Sequence, residues 1–170
     1  TLSFFSGGEN GDLFFEYSDI NFNGTIHHYD GVDLNAVPLP PDTQFSFYSN
    51  EFNGNHYFVA FDINFNSSLY EYNGVTAVPV SLPANLEFNF YVTTYNDDMY
   101  ISLFDNTTFD SYLYQYDGVN FFEVPTPAGL TFNNFIADFN GLMYLSYFDN
   151  ATFDNQFFVY DGTTLNLVSG

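Results

Sequence analysis

The chain is predicted to be all-β, built from four tandem units of four antiparallel strands each. The first observation behind this is a Tyr-Asp-Gly triplet or its near copy at Tyr29-Asp30-Gly31, Tyr72-Asn73-Gly74, Tyr116-Asp117-Gly118 and Tyr160-Asp161-Gly162. The spacings are 43, 44 and 44 residues, a period that suits one supersecondary unit per repeat. The second is a turn signal upstream of each triplet: Asn10-Gly11, Asn53-Gly54, Asn96-Asp97 and Asn140-Gly141. Such pairs tolerate the positive φ that a tight hairpin turn of type I′ demands at both central positions. The third is that helical periodicity with caps occurs nowhere.

The third unit shows the plan. A first strand over 87–93 meets the Asn96-Asp97 turn, and a second strand runs over 99–104. A longer polar loop over 105–111 leads to a third strand over 112–116, the Asp117-Gly118 turn, and a fourth over 121–124. Pro125 and Pro127 end that strand, because proline has no N–H to donate to a ladder. The other units repeat the scheme. Their boundaries fall near 1–43, 44–86, 87–130 and 131–170 within a single domain.

The run Met99-Tyr100-Ile101, Asp105, Leu113-Tyr114-Gln115-Tyr116-Asp117 and Glu123-Val124-Pro125-Thr126-Pro127 resembles a kelch repeat. In order, these supply an Ile-Tyr-Val-like strand, an Asp-bearing loop, a Val-x-x-Tyr-Asp-like strand and a closing Val-x-x-x-Pro-like segment. The resemblance implies a β-propeller of four four-stranded, kelch-like blades, with half of a larger propeller or an open stack of blades as the alternative.

Composition restricts the functions such a fold can serve. The 170 residues contain 21 Asp plus Glu, no Lys or Arg, and a formal net charge of −21. Without cationic side chains the chain cannot neutralise phosphates, which excludes nucleic acid and anionic membrane surfaces as partners. Apolar runs fall short of a membrane-spanning helix, so no membrane insertion is expected. Internal ion pairs are restricted to the three His and the N-terminus. The absence of tryptic cleavage sites points to a secreted, extracellular or cell-surface location. Thr1 in place of an initiator Met reads as a processed or excised chain.

The candidate sites all lie in the loop between the second and third strands of each unit. Each loop opens with an Asp in register (Asp19, Asp62, Asp105, Asp149), and each holds an N-x-Ser/Thr acceptor at Asn23, Asn66, Asn106 or Asn150. That pattern occurs nowhere else in the chain, which predicts glycosylation at these four. Calcium competes for the same loops. Asp19, Asn21, Asn23 and Asp30 match the alternating oxygen ligands of a calcium loop, Asp62 and Asn64 repeat half of it, and Asp105 and Asp149 stand in register. A third reading is an Asx-rich hairpin whose side chains cap backbone donors. His27, His28 and His56 take positions held by packing residues in other units. Since adjacent strand residues face opposite ways, His27 and His28 are not expected to share a metal.

These features predict a non-enzymatic extracellular structural or adhesive glycoprotein that self-assembles into a filament, sheath or matrix, with calcium its only expected cofactor. The alternative is a lectin-like propeller that binds glycans through rim Tyr, Phe, Asp and Asn. A carbohydrate-active propeller enzyme ranks third. Expected partners are copies of the chain itself or matrix glycans.

Overall fold

The computed structural model describes residues 2–7, 11–21, 23–43 and 45–168. Asn10, half of the first predicted turn, lies outside them. The described residues form sixteen strands and no helix. Blade 1 is β1 (Leu2–Gly7), β2 (Leu13–Ser18), β3 (Gly24–Tyr29) and β4 (Leu34–Ala36). Blade 2 is β5 (Phe45–Phe52), β6 (Asn55–Phe61), β7 (Ser67–Tyr72) and β8 (Ala77–Pro79). Blade 3 is β9 (Leu86–Tyr95), β10 (Asp98–Asp105), β11 (Ser111–Tyr116) and β12 (Phe121–Glu123). Blade 4 is β13 (Leu130–Phe139), β14 (Leu142–Asp149), β15 (Asp154–Tyr160) and β16 (Leu165–Leu167). Each sheet is an antiparallel meander in sequence order. The chain divides into two compact units, 1–82 holding blades 1 and 2, and 83–170 holding blades 3 and 4.

The predicted turns form for the predicted reason. Both central residues have positive φ at Asn53-Gly54 (51° and 75°), Asn96-Asp97 (49° and 63°) and Asn140-Gly141 (53° and 70°), the geometry whose twist matches that of the flanking strands. The Tyr-Asp-Gly triplet is a second, separate turn device. In blade 3, Asp117 Oδ1 accepts the N–H groups of Val119 and Asn120, both at 2.7 Å, while Tyr116 donates its hydroxyl to the Gly118 carbonyl at 3.0 Å. Blades 1 and 2 repeat both contacts through Tyr29 with Asp30 and Tyr72 with Asn73. The triplet therefore recurs because each of its residues holds part of one hairpin.

The first strand of every blade carries a register shift where its bonding to the second strand slips by a residue, a bulge that increases local twist. The fourth strands are three residues long. One further ladder bond extends each, as when Val124 N–H donates to Leu113 O at 2.9 Å, and prolines such as Pro38 and Pro125 follow. Short, proline-ended outer strands leave little free edge for foreign strands to pair with.

Alternation gives each blade two apolar faces. On β10 and β11, Met99, Ile101, Leu103, Tyr112, Tyr114 and Tyr116 share one face, here called upstream, and Tyr100, Ser102 and Leu113 share the opposite, downstream face. In unit 83–170 the downstream face of blade 3 meets the upstream face of blade 4. Tyr95, Tyr100, Leu113 and Val124 join Phe132, Met143, Leu145, Tyr147, Phe158 and Tyr160 in one buried cluster. Tyr95 bridges the blades by donating its hydroxyl to Gly141 O at 2.6 Å. In unit 1–82, Phe14, Ile26 and Val37 of blade 1 pack on Phe58 and Tyr72 of blade 2 in the same manner.

Candidate functional site

The hairpins joining the second and third strands carry every predicted site residue but Asp30. Each begins with an Asp that folds back on its own loop. Asp19 Oδ1 accepts from the backbone N–H of Asn21 (2.7 Å) and Asn23 (2.9 Å), and its Oδ2 accepts from Asn23 Nδ2 at 2.8 Å. Asp62 makes the same set with Asn64 and Asn66, at 2.7, 3.0 and 2.7 Å. In the longer loops, Asp105 caps Thr107 and Thr108, and Asp149 caps Ala151 and Thr152. These donors favour the ionised form and hold all four carboxyls below their ordinary range. The backbone N–H of Asn23 leads for Asp19, the Asn66 side chain for Asp62, and the backbone N–H groups of Thr107 and Ala151 for Asp105 and Asp149. The four Asp act as turn caps.

Asp30 does not join the Asp19 loop. Asp30 stands at the far end of β3 from Asp19, about 20 Å along a six-residue strand. Its carboxylate caps Val32 and Asp33 instead. No group of three or more His, Asp or Glu able to hold a metal occurs among the described residues. Asn21 and Asn64 are exposed within their loops, Asn66, Asn106 and Asn150 are exposed on theirs, and Asn23 is half-buried.

Two features escaped sequence reasoning. The first is an aromatic residue in left-handed backbone near the end of the hairpin: Phe65, Phe109 and Phe153 have φ of 63–64° and are exposed. Phe is a poor fit to that region, which marks the position as unusual. The signal was present as Asp62-x-x-Phe65, Asp105-x-x-x-Phe109 and Asp149-x-x-x-Phe153, and was hidden among the many other Phe. Phe109 and Phe153 rest edge-on against Phe104 and Phe148. Beside the blade 2 hairpin lies a small depression of about 80 Å³, lined by residues that include Asp42, Thr43, Asp62, Asn66 and Tyr70.

The second is a buried histidine pair between blades 1 and 2. His27 and His28 diverge as expected, but His28 meets His56 across the junction, with ring centroids 5.9 Å apart. Asp12 Oδ2 lies 3.1 Å from His28 Nε2 and 3.7 Å from His56 Nε2. Glu51 stands 4.0 Å from His56 Nδ1. Phe14 stacks on His28 and tilts against His56. Burial holds His56 below its ordinary value, opposed by Glu51 and Asp12 and reinforced by His28. Strand pairing within blade 1 brings Asp12 to His28, and the packing of blade 2 on blade 1 adds His56, so no local motif announces the cluster.

The four meanders define a β-propeller-like fold. The chain is similar in structure to the β-propeller domain of the trilobed protease from Pyrococcus furiosus, with a TM-score of 0.69 and 13% identity. The match covers all of this chain and 56% of that one, whose propeller is described as having an open velcro topology. No protein-family model matches the chain, and no curated protein sequence does.

Proposed function

We propose that this chain is a non-enzymatic structural or adhesive module of the extracellular space, of kelch-like repeat type, which assembles with copies of itself and carries glycans on its hairpins. The observation that supports this is the hairpin between second and third strands, repeated in every blade with its Asp engaged in caps and its acceptor Asn facing outward in blades 2, 3 and 4. Carboxylates committed to backbone N–H groups and held ionised are poorly suited to general acid chemistry. The −21 charge suits a solvated, glycan-bearing surface. The test is the intact mass of the protein from its natural source, before and after enzymatic glycan removal. A loss of mass that maps to Asn66, Asn106 and Asn150 is expected. A mass that glycan removal leaves unchanged would overturn the glycan part of the proposal.

A second reading, glycan binding, draws on the exposed Phe65, Phe109 and Phe153, each near an Asp, since aromatic faces and carboxylates together suit sugar rings. Binding to an array of glycans that falls on Phe109→Ala and Phe153→Ala replacement would favour it over the first.

A further inference from the structure

The repeat allows the faces of the blades to be compared position by position. A shift of 44 residues carries the downstream face of blade 3 onto that of blade 4, Tyr95 onto Phe139, Tyr100 onto Tyr144, Leu113 onto Phe157 and Val124 onto Val168. Blade 4 covers the first set. The second set is just as apolar, yet it lines an open apolar depression of about 610 Å³, together with Ile136 and Ala137. Monomeric soluble proteins rarely leave such a contiguous patch uncovered.

Blade 4 is also the one blade whose downstream face has lost its polar pair. Blades 1, 2 and 3 place Asp12 beside His28, Asn55 beside Glu71 and Asp98 beside Gln115, the last two as hydrogen bonds of 2.6 Å. Blade 4 has Leu142 and Val159 at the equivalent positions. A repeat face that stays in water needs polar residues. Blade 4 departs in the opposite direction, so its downstream face is built to be covered.

The complementary surface exists on blade 1. Its upstream face carries Leu13, Phe15, Tyr17, His27 and Tyr29, in register with Met143, Leu145, Tyr147, Phe158 and Tyr160 of blade 4. The blade 4 residues are buried against blade 3, whereas Leu13, Phe15, His27 and Tyr29 are only partly covered and Tyr17 is exposed. Blades 1 and 4 therefore carry both halves of the contact that blades 3 and 4 already make.

We infer that the downstream face of blade 4 docks head to tail on the upstream face of blade 1 of a second copy of this chain. The inference rests on the self-assembly reading above and names its interface and partner. The internal ring pairs specify the contacts. Tyr100 against Tyr160 and Phe14 against Phe58 translate into Tyr144 of one copy against Tyr29 and Phe15 of the next. Such a contact is heterologous, so it closes into a ring or grows into a filament according to the rotation per copy. Because each copy carries −21, association strengthens as salt screens the repulsion, while the apolar contact is little affected.

Sedimentation velocity on the full chain, over a concentration series at low and high salt, tests this. Wild-type chains are expected to associate with rising concentration. Phe139→Asp combined with Phe157→Asp blocks the downstream face, Tyr17→Asp blocks the upstream face, and each variant alone is expected to be a monomer with an unchanged circular dichroism spectrum and melting curve. Mixed in equal amounts, they are expected to form a dimer that grows no further, since one intact contact remains. A wild-type chain that stays monomeric overturns both this interface and the self-assembly reading. Association that survives in both variants, or symmetric dimers of one variant alone, overturns this interface and leaves the self-assembly reading standing.

Discussion

Blades 3 and 4 place the same residue classes at the same register and put them in different surroundings. Leu113 is 0% exposed and Phe157, its counterpart, 50%; Tyr95 is 5% exposed and Phe139 61%. The repeat specifies an adhesive face in each blade, and the neighbour decides whether that face becomes core. Position in the stack, rather than side-chain chemistry, sets the energetic weight of each residue.

That comparison predicts unequal costs for like substitutions. Leu113→Ala leaves a cavity between two packed sheets and should lower stability by about 2–5 kcal/mol. Phe157→Ala, in monomeric protein, should change it by about 0.5 kcal/mol or less. Chemical denaturation of the two variants side by side measures the ratio, and equal losses would break the comparison. Next in size is Tyr95→Phe. It removes the 2.6 Å bond to Gly141 O while keeping the ring, and it reproduces the Phe that blades 2 and 4 carry as Phe52 and Phe139. A loss of about 1 kcal/mol is expected, read from the same denaturation curves.

The smallest effect concerns the other junction, between blades 1 and 2, where histidines replace apolar residues. Burial keeps the folded-state pKa of His56 below that of the unfolded chain, which is about 6.5. As pH falls below that value the unfolded chain binds a proton that the folded chain refuses, so stability declines toward acid. The capped Asp residues, also depressed, add their own decline only at lower pH, near and below about 4. His56→Met installs the residue that blades 3 and 4 hold as Met99 and Met143. Melting temperatures from pH 7.5 to 5 should then flatten, while the steeper loss near pH 4 persists.

Much of the fold was legible because its causes are local. Positive φ at Asn53-Gly54, a hydroxyl reaching back from Tyr116, and an Asp capping its own loop all act within a few residues. The third unit's strands accordingly match prediction to within two residues at each end. The separation of Asp30 from the Asp19 loop was not legible from spacing alone, because it depends on the segment over 24–29 being β3, a strand that carries Asp30 away from Asp19. The His28–Asp12–His56 junction and the uncovered face of blade 4 depend on which sheet lies against which. Composition and turn chemistry do not encode that. The repeat does reveal the face once the register is known, because the shift from Asp98 and Gln115 to Leu142 and Val159 is visible in the sequence itself.

The most direct test of reiterated, stackable faces uses the absence of cysteine from the chain. Single-cysteine chains Tyr144→Cys and Phe15→Cys, mixed and treated with a bis-maleimide reaching about 10 Å, the spacing of packed sheets, report which faces meet. A cross-linked heterodimer far in excess of either homodimer is the predicted result. Cross-linking confined to Tyr144→Cys homodimers, or none at concentrations where the wild type associates, would contradict the account.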